Sequence, residues 1–370
     1  MKIIHEDIKT KQSDYPLKAL GEACDLLFMD IETTGFSARH NSIYAIGTID
    51  FPDGENGRLT QYFAESPRDE AQILDEFFLV CREKKTLVHF NGNTFDLPFL
   101  KQRAAHFSLS HPLDEMKGID IFRRTAPYKK ILGLEHCKQK DIEAFLGIGR
   151  EDEYNGGQLI KIYEDYCKTG DAEAEKLLLL HNHDDMIGML KILPILSYSD
   201  VFAHLFKVSR VQANHYEDPD HSEHDELLMK LRFPVAFPKP LSLRGNGCIF
   251  SGEGHEGFLK IPLYKEEMKF FYADYKNYYY LPEEDTAIHK AIAFCVDKEH
   301  RRQAKASDCY TRKEGAYLPE WDIIFEPIFK RDYQDPVCYF ELTDDMKTNP
   351  EIFRKYAVHI LDMLSFGSNA

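Results

Sequence analysis

No apolar run in this 370-residue chain approaches the roughly 18 to 20 residues that cross a bilayer. The N-terminal stretch "MKIIHEDIKTKQSDYP" also lacks the apolar core of a signal peptide. Together these absences predict a protein with no membrane anchor, placed in the cytoplasm. The eight cysteines, at 24, 81, 137, 167, 248, 295, 309 and 338, show no CxxC or other zinc-type spacing. Free buried thiols are expected, rather than a disulfide framework or a zinc site. Positive charge is scarce: 46 Lys and Arg face 62 Asp and Glu, for a net charge of -16. That balance argues against a sequence-blind protein that coats nucleic acid through a basic surface. Only residues 230–313 are basic, with 15 Lys and Arg against 11 acids. Internal repeats and low-complexity tracts are absent.

What is present supports a large core. At 43% hydrophobic and 13% aromatic residues, a chain of this length is expected to form two domains. Strand-like runs at 26–32, 42–51 and 60–64, separated by "SARHN" and "PDGENG", predict an antiparallel meander. An amphipathic helix follows over 68–83, then the strand "TLVHF", a turn at Asn91-Gly92 and a helix through "FDLPFLKQRA". A fifth strand is expected in "KGIDIF", short helices in "LEHCKQKDIEAFLGI" and "GGQLIKIYEDYCKTG", and a long helix over 171–196. The fold class is therefore α/β, a mixed sheet of three antiparallel strands and then parallel ones, flanked by helices.

The expected organisation is an N-terminal extension (1–21), this α/β domain (22–197), a helical and charged linker (198–229) and a smaller α+β C-terminal domain (230–370), β-rich with helices. The linker contains "NHYEDPDHSEHDE" at 214–226, read as a solvated loop. In the last domain a helix is expected over 285–306. Its Lys290, Lys298, Arg301, Arg302 and Lys305, beside tyrosines 275, 278, 279 and 280, combine positive charge with stacking rings, as single-strand binding surfaces do.

Three short stretches carry the chemistry. In "LLFMDIETTG", residues 26–35, Asp30 and Glu32 interrupt an apolar strand. Residues two apart share a face of a strand, so both carboxylates point into one space. Two anions packed in a low-dielectric site need compensation: one takes up a proton, or a cation binds between them. In "VHFNGNTFDLPFL", Asp96 falls in the first turn of a helix that is apolar all round. In "LLLLHNHDDMIGML", His181 and Asp185 are four apart on one helical face, with Gly188 on the next turn, where a small residue would leave room for a substrate or metal. His183 and Asp184 are the neighbouring alternatives.

With these three stretches in this order, residues 22–197 resemble the DEDD superfamily of DnaQ-like, RNase H-like 3′-5′ exonucleases, and within it the YprB-like branch. "DIETTG" is similar to its first motif, "NGNTFDLPFL" to the second and "HNHDD" to the third. The resemblance implies an RNase H-like fold and a quartet of metal-holding acids, Asp30, Glu32, Asp96 and Asp185. It also implies a fifth residue beside the attacking water. The main branches place Tyr four residues, or His five residues, before the last Asp. Here His181 stands at the four-residue spacing, and the positions five before Asp185 and Asp184 are Leu180 and Leu179.

Two ions, Mg²⁺ or Mn²⁺, are implied, since oxygen ligands with an incomplete shell suit them. Asp30 is expected to bridge both, Glu32 and Asp185 to complete one, and Asp96 to support the other. His181 is expected to accept or orient the water's proton. Thr33, Thr34, Asn91, Phe95 and Asn182 are the expected substrate contacts. The implied activity is metal-dependent 3′-5′ exonucleolytic hydrolysis of single-stranded DNA or RNA. The alternatives are a catalytically weak RNase H-like binding or protein-interaction module, or a structure-specific endonuclease.

Overall fold

The structure, a computed structural model, describes residues 1–9, 13–149, 154, 156–217 and 221–367. The chain divides into two units, Met1–Asp200 with Val235–Lys239, and Val201–Pro234 with Pro240–Ala370.

The first unit is built on a six-stranded sheet. Its strands are β1 (Lys2–Ile8), β2 (Leu26–Thr33), β3 (Ile43–Asp50), β4 (Gly57–Phe63), β5 (Thr86–His89) and β6 (Lys117–Asp120), in the order β1-β4-β3-β2-β5-β6. β2, β3 and β4 form the expected antiparallel meander, and β2, β5 and β6 are parallel. The N-terminal segment, expected as an extension, instead supplies edge strand β1, paired residue for residue with β4. Among the described residues, seven helices accompany the sheet: α1 (Glu70–Cys81), α2 (Asp96–Phe107), α3 (Ile121–Thr125), α4 (Gln139–Leu146), α5 (Gly156–Thr169), α6 (Ala172–Lys191) and α7 (Leu196–Phe202), the last of which runs into the second unit.

Alternation along β2 sorts its side chains. Leu27, Met29 and Ile31 join a core with Ile73, Leu74, Phe77 and Phe78 of α1 and Phe99 and Leu100 of α2. Asp30 and Glu32 are left for the opposite face, where α6 packs on β2, β3 and β4. That helix lies close because Gly47 has no side chain. A Cβ there would meet Asn182 Oδ1 at 2.5 Å and Met186 Cγ at 2.7 Å. A second core, of Tyr44, Ala45 and Phe63 with Leu159, Tyr163, Tyr166 and Leu178, fixes α5 and α6 to the same sheet.

The second unit contains a sheet ordered β14-β15-β13-β9-β8-β7. Its strands are β7 (Lys207–Glu217), β8 (Glu223–Gly245, whose residues Val235–Lys239 fall in the first unit), β9 (Cys248–Phe271), β13 (Tyr310–Glu320), β14 (Ile328–Phe329) and β15 (Cys338–Glu341). Helices α8 (Asp344–Lys347) and α9 (Pro350–Gly367) follow. The β-rich expectation is met, with two corrections. Residues 214–217 and 223–226, expected in a linker, are strand: Asn214 to Glu217 pair with Glu226 to Glu223 across the β7–β8 hairpin. Residues 218–220, including Asp218 and Asp220, lie outside the described residues.

The second correction concerns the helix expected over 285–306. There the chain forms a three-stranded sheet of β10 (Tyr278–Leu281), β11 (Thr286–His289) and β12 (Arg302–Gln303). Cross-strand pairing of an aromatic with a β-branched side chain, Tyr279 with Ile288, and of Leu281 with the β-branched Thr286 overrides the local helical pattern. All eight cysteines are free; Cys81, Cys137, Cys248 and Cys309 are buried as expected, whereas Cys24, Cys167 and Cys295 are exposed and Cys338 is half-buried. Among the described residues no helix is long and apolar enough to cross a membrane.

Candidate metal centre

Three elements bring acids together at one end of β2. Asp30, half-buried, and Glu32, buried, are delivered by the alternation of β2. Asp185 comes from α6, and one turn earlier on the same face His181 places Nε2 3.3 Å from Asp185 Oδ2 and 3.6 Å from Glu32 Oε1. Ligand atoms of Glu32, His181 and Asp185 all lie within 4.8 Å of one another. His183 and Asp184, the alternatives on the helix, face elsewhere. His183 Nε2 is 3.3 Å from Glu6 Oε2, and both line a separate cleft with Glu143 and Lys191.

Asp96 opens α2 and is 7% exposed. Its carboxylate accepts from the backbone N–H of Ile31, the residue between Asp30 and Glu32, and lies in the field of Asp120 and Asp185. Burial foremost, and then those two acids, push the Asp96 carboxyl up to about 7. Asp96 thus shares the acidic centre, and its shift comes first from burial and only then from neighbouring acids.

The turn that delivers Asp96 is held from below. Asn91 has φ +59° and donates its N–H to Asp120 Oδ1 at 2.9 Å, while the N–H of Gly92 donates to His89 Nδ1 at 3.1 Å. Asp120 also accepts from Arg123 N at the start of α3. Neither His89 nor Asp120 was expected at the centre. The readable signal was an Asp at the end of a short strand, opening a helix, in "KGIDIF".

Tyr44 is a further residue the motif reading missed. It is 1% exposed on β3, and its hydroxyl hydrogen-bonds Glu32 with Asp30 close by. Burial above all pushes this phenol well up, so it remains a donor.

The expected substrate contacts divide. Thr33 Oγ1 donates to Gly35 O at 2.9 Å, and Thr34 Oγ1 accepts from Ser42 N at 3.0 Å. Both hydroxyls brace the loop that follows β2. Asn91 Oδ1 accepts from Thr94 Oγ1 at 2.8 Å within the turn. Phe95 is half-buried, edge-on to Phe36 and tilted on Phe99. Phe36 itself is 88% exposed. Asn182 contradicts its expected role: it is fully buried, sits over Gly47 and accepts from Gln61 Nε2 at 3.0 Å. It packs α6 on the sheet and has no surface to offer a substrate. Gly188 is corrected too, since the space it leaves is filled by Glu143 and Gln139 of α4.

The donor set fits a divalent cation. Carboxylates from two elements converge with an imidazole, and burial of a third carboxyl, Asp96, disfavours its charged form, which a cation would favour.

The mixed sheet, the helix order and this acidic centre define an RNase H-like domain. Residues 27–197 match the RNase_H_2 family model, described as RNase_H superfamily. No curated protein matches the chain. Among solved structures it is similar to the family B DNA polymerase from the hyperthermophilic archaeon Pyrobaculum calidifontis, at 13% identity and a TM-score of 0.36, covering 68% of this chain and 35% of that one. It is also similar to exonuclease I in an ExoI/SSB-Ct complex, at 11% identity and a TM-score of 0.30, covering 56% of this chain and 55% of that one. A zinc-bound form of the E. coli ExoI-ssDNA complex matches at 10% identity and a TM-score of 0.28, covering 56% and 54%. The chain thus spans between about a third and about half of the length of the solved chains it matches.

Proposed function

We propose that the protein is a metal-dependent nuclease, a 3′-5′ exonuclease that hydrolyses phosphodiester bonds of single-stranded DNA or RNA. The observation that carries the reading is the convergence of Glu32, His181 and Asp185 within 4.8 Å, with Asp96 tied to the backbone between Asp30 and Glu32. The family matched by residues 27–197 supports it.

Asp30, Glu32, Asp96 and Asp185 would hold two divalent ions, Mg²⁺ or Mn²⁺. Bound there, such ions supply an activated water and charge compensation for the phosphoryl oxygens. His181, whose Nε2 lies between two carboxylates, would hold or pass the proton released by the attacking water. Thr33, Thr34, Asn91 and Phe95 border the same end of β2 and are proposed to position the terminal nucleotide.

The test is incubation of 5′-labelled and 3′-labelled single-stranded DNA and RNA with Mn²⁺. A ladder shortening from the 3′ end of one or both substrates supports the reading. Internal cuts from the outset indicate an endonuclease, and intact substrate with retained binding indicates a binding module.

A further inference from the structure

The pairing of β2 with β3 is interrupted beside the acids. Glu32 pairs with Ala45 and Thr33 with Ile43, so Tyr44 is the extra residue of a bulge. The bulge turns Tyr44 to the same side as Ala45, into the core beneath α5 and α6. Its ring stacks on Tyr163 of α5 with centroids 4.4 Å apart at 16°, and Phe63 meets Tyr163 edge-on. A ring so enclosed holds a single orientation, and its hydroxyl ends on the Glu32 carboxylate.

We propose that Tyr44 is a positioning residue for Glu32. Its O–H fixes the carboxylate's rotamer and leaves the remaining lone pairs directed at the cation shared with Asp185. This rests on the metal centre proposed above. A glutamate on a strand end has three rotatable bonds, and a ligand held by one outer hydrogen bond binds without first losing that freedom. The bulge is the device that brings a β3 side chain next to a β2 side chain at this position.

The test is Mn²⁺ binding to the full chain by titration calorimetry, with no nucleic acid present. Tyr44→Phe keeps the stacked ring and deletes only the hydroxyl, and Mn²⁺ affinity is expected to fall about 10- to 100-fold. Tyr163→Phe, whose hydroxyl lies against Cys167, is expected to bind as wild type. In a Glu32→Gln background the additional effect of Tyr44→Phe is expected to vanish, because the carboxylate it positions is gone. Wild-type affinity in Tyr44→Phe overturns the inference. An equal loss in Tyr163→Phe does so too, since it would assign the effect to the stacked pair. Asp30→Asn is the separate control: if it binds Mn²⁺ like wild type, the metal centre itself fails and the role of Tyr44 falls with it.

Discussion

His181 links α6 to β2 across the acidic centre, its Nε2 lying 3.3 Å from Asp185 Oδ2 and 3.6 Å from Glu32 Oε1. A positioned acid–base group contributes about 10²- to 10⁴-fold to rate. His181→Ala is therefore expected to slow Mn²⁺-dependent hydrolysis by that range, read from initial rates on a labelled oligonucleotide. An unchanged rate relieves the residue of its part in proton transfer.

Asp96 makes the metal-free protein sensitive to pH. Its carboxyl sits at about 7 in the fold against an ordinary value of 3.8. Between those values the folded chain holds a proton that the unfolded chain has released. The stability this gives is complete below pH 3.8 and is lost as pH rises through about 7. In chelator, Asp96→Asn is expected to lose less Tm than wild type between pH 5 and pH 8 and to be the more stable of the two at pH 8. Parallel melting curves across that range would show that Asp96 is not the group responsible.

Gly47 sets the distance between α6 and the sheet. In Gly47→Ala the new methyl would lie 2.5 Å from Asn182 Oδ1 and 2.7 Å from Met186 Cγ. Overpacking of this kind costs about 1–3 kcal/mol, to be read from urea midpoints. Turnover should fall as well, because the displaced helix carries His181 and Asp185. A variant with wild-type stability and rate would mean that the helix yields without consequence.

Glu70 and Arg103 form a buried pair that ties down the loop after β2. Arg103 donates to both carboxylate oxygens of Glu70 at 2.7 and 2.6 Å and to Ala38 O, while Glu70 Oε1 also accepts from Ile43 N. Arg103→Ala strands a carboxylate that is 1% exposed and is expected to cost about 3–5 kcal/mol in chemical denaturation. Arg103→Met combined with Glu70→Gln should cost less than the single change. If the double variant is the worse, the pair is not held by charge compensation.

The acids were legible because each obeys a short-range rule: two residues apart on a strand, the first turn of a helix, four apart on a helix. The meander and the parallel strands were legible from alternation and turn residues. What could not be read depends on contacts distant in sequence. Lys2–Ile8 is a strand only because β4 pairs with it. Asn182 directly follows His181, yet it is fully buried because Gly47, 135 positions earlier, lets α6 approach. Tyr44 reaches Glu32 only through the bulge in β2–β3 pairing, which no local pattern announces. The segment 286–303 has a helical pattern but finds strand partners in Tyr278–Leu281.

The central claim is that the crowded acids hold divalent ions for phosphodiester hydrolysis. Its most direct test is the Mn²⁺-dependent rate of Asp30→Asn against wild type on single-stranded DNA and RNA, with circular dichroism confirming both folds. The account predicts robust wild-type turnover, lost on chelation, and none from the variant. Undiminished hydrolysis by a folded Asp30→Asn protein would contradict it.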